Sequence, residues 1–101
     1  MQDHPSVDYV NSNFGGLDIT GENIFFMTAS EDPWQGACMV ELHDPVKQKD
    51  MVAHHITCPD CSHCVDLHAP APDDPTELTQ ARVMAQDQIR KWLQQEVEFL
   101  Q

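Results

Sequence analysis

From residue 74 to residue 100 the chain reads DPTELTQARVMAQDQIRKWLQQEVEFL, with Pro75 as the only proline and no glycine. Asp74 suits a helix N-cap, Pro75 suits the first helical position, and Glu77 follows three residues after the cap. We therefore predict a long amphipathic helix over residues 75–100. At 100° per residue its apolar side chains share one stripe, made by Leu78, Ala81, Ala85, Ile89, Trp92, Leu93, Phe99 and Leu100.

This helix is long for the size of the chain. It would extend roughly 39 Å at 1.5 Å per residue, whereas a compact domain of this size is about 34 Å across. One end is therefore expected to extend beyond the body. Val83, Met84 and Val97 lie off the apolar stripe and are candidates for contact with a second chain, in a homodimer or a larger complex. The alternative is that they are scattered apolar surface residues, which are common.

The residues before the helix predict a small antiparallel sheet. Apolar and polar side chains alternate over residues 17–20, and residues 24–28 form a β-branched and aromatic run. The two segments therefore favour a hairpin. Residues 37–43 and 51–57 are the third and fourth candidate strands. The expected fold is therefore α+β, with three or four antiparallel strands, a cysteine-rich metal knuckle and the long C-terminal amphipathic helix.

The length of 101 residues indicates a single domain over residues 1–101. Within it we distinguish an acidic, β-rich body over residues 1–74, which carries the metal knuckle at residues 54–68. The C-terminal helix over residues 75–100 completes the domain.

The knuckle segment reads HHITCPDCSHCVDLH and holds three of the four cysteines and four of the six histidines. Its Cys58-Pro59-Asp60-Cys61 turn resembles one zinc-ribbon knuckle, because a C-x₂-C pair lets two thiolates converge on one ion. The spacing predicts a Zn²⁺ site with four ligands. Those ligands are Cys58, Cys61, Cys64 and Cys38, with His68 and His43 as the substitutes.

A second metal is an alternative. The run Cys58-x₂-Cys61-x₂-Cys64-x₃-His68 resembles the cysteine run of bacterial ferredoxins, which implies an iron–sulfur cluster and a small electron carrier. A thiolate-rich zinc site is usually closed and structural rather than catalytic. Because no G-x-S-x-G or phosphate-binding loop accompanies it, we expect a protein that is not an enzyme.

The charge is strongly asymmetric. The chain has 17 acidic and 5 basic residues, for a net charge of −12, and residues 1–74 hold all but four of the acids with only Lys47 and Lys49 to balance them. Nucleic acids and anionic membranes are therefore excluded as direct ligands, because both are bound through Lys and Arg. The absence of an 18-residue apolar run or a recognisable signal peptide favours the cytoplasm.

The acidity suggests a function. We expect a zinc-stabilised acidic protein that engages a basic protein surface, such as that of a nucleic-acid-binding protein, and inhibits or regulates it by nucleic-acid mimicry. The alternatives are an accessory subunit that docks through the C-terminal helix and an acidity that serves only solubility. The candidate partner-binding residues are Glu31, Asp32, Trp34, Asp73, Asp74, Met84 and Val97.

Overall fold

The structure is a computed structural model that describes residues 6–101. Within those residues it has two α-helices and two β-strands. Helix α1 covers Val7–Phe14, strand β1 Ile24–Ala29, strand β2 Met51–Ile56 and helix α2 Thr76–Leu100, and short 3₁₀ turns cover Gly16–Asp18, Gln35–Ala37 and Val65–Leu67. The two strands pair directly and in parallel, with Ile24 opposite Met51 and Ala29 opposite Ile56.

The predicted antiparallel sheet of three or four strands is therefore wrong. Strands β1 and β2 lie within a residue or so of two of the predicted segments, but they run in the same direction. Residues 30–50 are long enough to connect two parallel strands, since such a crossover needs about a dozen residues or more. The usual sequence signal of a parallel pair is a helical pattern between the two strands. Residues 30–50 contain only a short 3₁₀ turn, so their sequence lacks that signal.

Residues 17–20, the first predicted strand, are held by a side chain instead of a neighbouring strand. Gln48 is buried, and its amide nitrogen donates to the carbonyl oxygens of Leu17 and Ile19, both at 2.8 Å. Gly15 and Gly16 have φ values of 94° and 55°, which turn the chain sharply after α1. The carbonyls that a hairpin would use are therefore paired with Gln48.

Residues 37–43, the third predicted strand, fold back on themselves. The amide of Cys38 donates to the carbonyl of Gln35 at 3.1 Å, and the amide of Val40 donates to the carbonyl of Cys38 at 3.0 Å. These local bonds replace a sheet ladder, so the segment forms turns.

The predicted C-terminal helix is present, one residue shorter at its start. It begins after Pro75, and the Asp74 carboxylate accepts hydrogen bonds from Ala71 and Arg82 rather than capping the helix. Only its first turns are packed, at Leu78 and Ala81. They join a small core whose members are Ala29, Ile56, Cys58, Cys61, Leu78 and Ala81.

The rest of α2 extends away from this core. Leu93 is 62% exposed and Phe99 is 83% exposed, so the predicted apolar stripe is covered only near the N-terminal end of the helix. The radius of gyration is 16.4 Å, against about 13 Å for a compact domain of this length. No helix in residues 6–101 combines the length and apolar character needed to cross a bilayer.

The predicted metal knuckle is also wrong as an element of the fold. Cys58 and Cys61 are joined in a disulfide, and both lie in the core. A thiolate pair held in a disulfide cannot ligate zinc, because the ligand is the deprotonated thiol.

Candidate active site

The parallel pairing brings two loops together. The carboxyl ends of β1 and β2 lie at the same edge of the sheet, and the loops that follow them begin at Ser30 and Thr57. Asp32 lies in the first loop and His63 in the second. The Nδ1 atom of His63 is 2.8 Å from the Oδ2 atom of Asp32, so the two side chains form a hydrogen-bonded pair.

The carboxylate of this pair is buried and fixed. Asp32 is 5% exposed, and its Oδ1 atom accepts a hydrogen bond from the backbone N–H of Trp34 at 2.9 Å. The hydrogen bond from His63, and then that from Trp34, hold the pKa of the Asp32 carboxyl below its usual value of 3.8, while burial opposes them. Asp32 is therefore an ionised acceptor that orients the imidazole.

The imidazole, in contrast, reaches solvent. The His63 side chain is 61% exposed. An ionised carboxylate only accepts hydrogen bonds, so Nδ1 of His63 carries the proton that it donates to Asp32. When the ring is neutral, its Nε2 atom then has a free lone pair, which is what a general base requires.

Backbone contacts tie the two loops to each other. The Glu31 N–H donates to the Cys61 carbonyl at 2.9 Å, and the Ser30 N–H donates to the Ile56 carbonyl at 2.8 Å. The Ser30 hydroxyl donates to the Cys58 carbonyl and accepts from the Cys58 N–H, both at 3.2 Å. The disulfide of Cys58 and Cys61 closes the turn between these contacts, two residues before His63.

A second aspartate–histidine pair provides a comparison. Asp18 and His43 also form a side-chain hydrogen bond, but their side chains are 69% and 56% exposed. A carboxylate in water orients a neighbour weakly, because solvent competes for its oxygens and screens its charge. Burial of the carboxylate therefore distinguishes Asp32 and His63 as the candidate site.

One cavity adjoins the pair, and a second, larger cavity lies next to the first. A cavity of about 170 Å³ is lined by Asp32 and His63 together with Cys38 and Cys64. A larger cavity of about 710 Å³ shares Cys38 with it. Most of the side chains that line the larger cavity are apolar, among them Val7, Leu17, Ile19, Phe26, Met27 and Met39.

The predicted zinc ligands are separated. Cys58 and Cys61 are buried in their disulfide, Cys64 is an exposed free thiol, and Cys38 is a half-buried free thiol whose sulfur donates to the Trp34 carbonyl at 3.2 Å. The substitutes do not complete a site, since His68 is exposed and His43 pairs with Asp18. Across residues 6–101 no group of three or more His, Cys, Asp or Glu could hold a metal ion. The zinc ion and the iron–sulfur cluster stay predictions.

The predicted partner-binding residues also differ in exposure. Asp32 is buried against His63, and Asp74 is half-buried against Arg82, so neither carboxylate is free to meet a partner. The others are exposed and stay candidates for partner contact, namely Glu31, Trp34, Asp73, Met84 and Val97.

The sequence patterns assign the two members of the pair to different features. Asp32 belongs to the acidic surface that the charge pattern predicts, and His63 is one of the four histidines in the predicted metal knuckle. The signal that could have joined them is their position, because each follows a strand-like run, at residues 24–29 and 51–56. That signal depends on the strands being parallel, and the expected antiparallel sheet concealed it.

One comparison with known proteins gives a match. The family model described as serine carboxypeptidase S28 matches residues 2–85, which is most of the chain. No curated protein and no solved structure matches it. The matched residues include both Asp32 and His63.

The disulfide predicts a thiol count. Protein that is unfolded in denaturant with a chelator and without reductant should show two reactive thiols, from Cys38 and Cys64, and four after reduction. Titration with a thiol reagent and metal analysis of the native protein measure this directly. Four thiols before reduction, with one zinc per chain, would contradict the disulfide and support the zinc site.

The pair also predicts a pH dependence. Since the pKa of Asp32 is lowered in the folded chain, its ionised form contributes stability above the usual value near 3.8, and that contribution is lost as the pH falls through the lowered pKa. In His63→Ala the largest cause is removed, so the pKa of Asp32 should rise, as followed by carbon NMR of its carboxyl. His43→Ala is the matched control and should leave it unchanged. An Asp32 pKa that is the same in wild type and His63→Ala would contradict the pairing.

Proposed function

The chain belongs to the serine carboxypeptidase S28 family, and on that premise we propose that it contributes the aspartate and histidine of a serine-hydrolase catalytic triad. The observation that carries this proposal is the hydrogen bond of 2.8 Å between the exposed His63 ring and the buried Asp32 carboxylate. In such a triad the aspartate holds the imidazole in one tautomer and stabilises the imidazolium that forms during the reaction.

The order of the two residues along the chain agrees with this role. Asp32 precedes His63, as the aspartate precedes the histidine in α/β-hydrolases and in subtilisin, whereas chymotrypsin has the reverse order. Both residues also lie just beyond the carboxyl ends of parallel strands, where open α/β sheets bind their ligands. Sequence order and position therefore support the same assignment.

The nucleophile is the remaining member of the triad. In residues 6–101 no serine hydroxyl is hydrogen-bonded to His63, and the hydroxyls of Ser6 and Ser30 are engaged with Tyr9 and Cys58. We propose that a serine from protein outside these residues, in the same or another polypeptide, meets the Nε2 atom of His63. The 61% exposure of that side chain leaves room for it.

The chemistry then follows from the roles of the two residues. Nε2 of His63 takes the proton of the serine hydroxyl as its oxygen attacks the carbonyl carbon of the last peptide bond of a substrate. The imidazolium returns that proton to the leaving amine, and the C-terminal amino acid departs. Water then attacks the acyl-serine with His63 again as base, which restores the serine and releases the shortened peptide.

The larger cavity supports a place for the substrate. Its volume of about 710 Å³ lies in the range of small-molecule sites, which are mostly apolar with few polar groups. It shares Met27, Thr28 and Cys38 with the cavity beside the pair. An apolar side chain of the substrate, close to the scissile bond, fits this space.

The other hypotheses stay predictions. Glu31, Trp34 and Asp73 are exposed and keep open the binding of a basic partner. The uncovered apolar side chains of α2 favour docking to further protein through Met84, Val97 and their neighbours, which agrees with a serine supplied from outside. A cytoplasmic location also stays a prediction, and the disulfide of Cys58 and Cys61 argues for an oxidising compartment in its place.

Peptidase activity is the direct test of the proposal. The protein is purified from its native source through a C-terminal affinity tag, with every polypeptide joined or bound to it, and release of C-terminal amino acids from N-blocked peptides is measured. Asp32→Asn should lower kcat by about 10³–10⁴-fold, because the imidazole loses its tautomer and orientation. His63→Ala should lower it at least as much.

The second aspartate–histidine pair supplies the control. Asp18→Asn and His43→Ala alter a hydrogen-bonded pair of the same composition on the surface, and both should keep the full activity. An inert wild-type preparation would contradict the proposal, as would Asp32→Asn or His63→Ala variants with unchanged activity.

A further inference from the structure

Arg82 makes an unusual set of contacts. It lies on α2, one residue after the buried Ala81, and its side chain is 14% exposed. Its guanidinium donates to three backbone carbonyls, from Nε to Asp66 at 3.3 Å, from Nη2 to Val65 at 3.4 Å and from Nη2 to His68 at 2.9 Å. All three carbonyls belong to the segment that directly follows His63.

The same guanidinium also makes an ion pair. Its Nη1 atom donates to the Oδ2 atom of Asp74 at 2.6 Å, and the Asp74 side chain is 18% exposed. The N–H of Ala71 and then Arg82 lower the pKa of the Asp74 carboxyl. Arg82 is thereby held in place by a carboxylate at the start of the helix while its other nitrogens reach the carbonyls.

The His63 ring needs such support. It is largely exposed and hydrogen-bonded only to Asp32 among residues 6–101, so its orientation depends on the backbone on both sides of it. On the N-terminal side the backbone is held by the disulfide of Cys58 and Cys61 and by the bond from Glu31 to Cys61. On the C-terminal side, beyond Cys64 with its φ of 57°, the 3₁₀ turn over Val65–Leu67 is held by Arg82.

We propose that Arg82 is a positioning residue, which holds the loop after His63 so that the imidazole stays hydrogen-bonded to Asp32. This inference rests on the proposed function for its consequence in catalysis, but the contact itself can be tested without catalysis. A guanidinium is required, because its planar fork of donors reaches several acceptors at once, whereas the lysine ammonium is a compact charge on a flexible stem. Helix α2 thus supports the segment after His63 through the side chain of Arg82.

The test uses Arg82→Gln with Arg90→Gln as the matched control. Arg90 lies on the same helix and pairs with Asp87, but both side chains are exposed and distant in sequence from the loop. The first readout is the nitrogen NMR shifts of the His63 ring at alkaline pH in the chain itself, which distinguish the Nδ1–H tautomer from a mixture. Wild type and Arg90→Gln should show the Nδ1–H tautomer, and Arg82→Gln the mixture of an unrestrained imidazole.

The second readout is peptidase activity of the tagged native preparation. Arg82→Gln should lower kcat by about 10²-fold, the loss expected of a misplaced catalytic group, with little change in KM. Arg82→Lys, which keeps the charge beside Asp74, should show an intermediate effect in both readouts. If Arg82→Gln does not fold, Arg82→Lys replaces it as the test of the positioning role. The inference is overturned if the His63 ring keeps the Nδ1–H tautomer in folded Arg82→Gln. If Arg82→Gln does not fold, the same result in Arg82→Lys overturns it.

The two readouts separate this inference from the proposed function. A changed tautomer in Arg82→Gln together with an inert wild-type preparation supports the positioning contact and contradicts the peptidase. Full activity in both wild type and Arg82→Gln overturns the positioning role and leaves the peptidase intact.

Discussion

The parallel pairing of β1 with β2 is the constraint on which the candidate site depends. In a parallel pair both strands end at the same edge of the sheet, so the loops that follow them start about one strand spacing apart. Asp32 and His63 are 31 residues apart in sequence, and this pairing is what lets their side chains meet. An antiparallel pair would place the two loops at opposite edges. The aspartate–histidine hydrogen bond is therefore a consequence of sheet topology.

The segment that carries His63 is held mainly by a disulfide and by hydrogen bonds from side chains to its backbone, rather than by a large core. The disulfide of Cys58 and Cys61 and the hydroxyl of Ser30 hold it on one side, and Arg82 holds it on the other. Six small or medium residues make up the main core, and a two-stranded sheet is marginal by itself. The apolar side chains along the rest of α2 are exposed and add nothing to this core. Both features are compatible with the proposal that a serine from further protein meets His63.

The sequence predicted the parts of the fold that depend on local signals. The long run without glycine or proline before Leu100 predicts α2, and both strands coincide with predicted strand segments, at residues 24–28 and 51–57. The direction of pairing depends on contacts across residues 30–50, and a buried side chain, Gln48, decides that residues 17–20 are not a strand. Contacts between residues distant in sequence cannot be predicted from local sequence patterns. The C-x₂-C spacing of Cys58 and Cys61 is compatible with both a zinc site and a disulfide, so the spacing does not decide between them. The contact between His63 and Asp32 is long-range, and no local pattern predicts it.

If His63 and Asp32 serve a serine supplied from outside residues 6–101, that serine must lie within hydrogen-bond reach of Nε2 of His63. The most direct measurement is a crystal structure of the native, tagged protein with its associated polypeptide, after reaction with a fluorophosphonate that labels activated serines. We expect a labelled serine whose oxygen lies about 2.6–3.2 Å from Nε2 of His63, with Nδ1 still hydrogen-bonded to Asp32. A labelled serine far from His63, or an Nε2 atom that faces solvent alone, would contradict it.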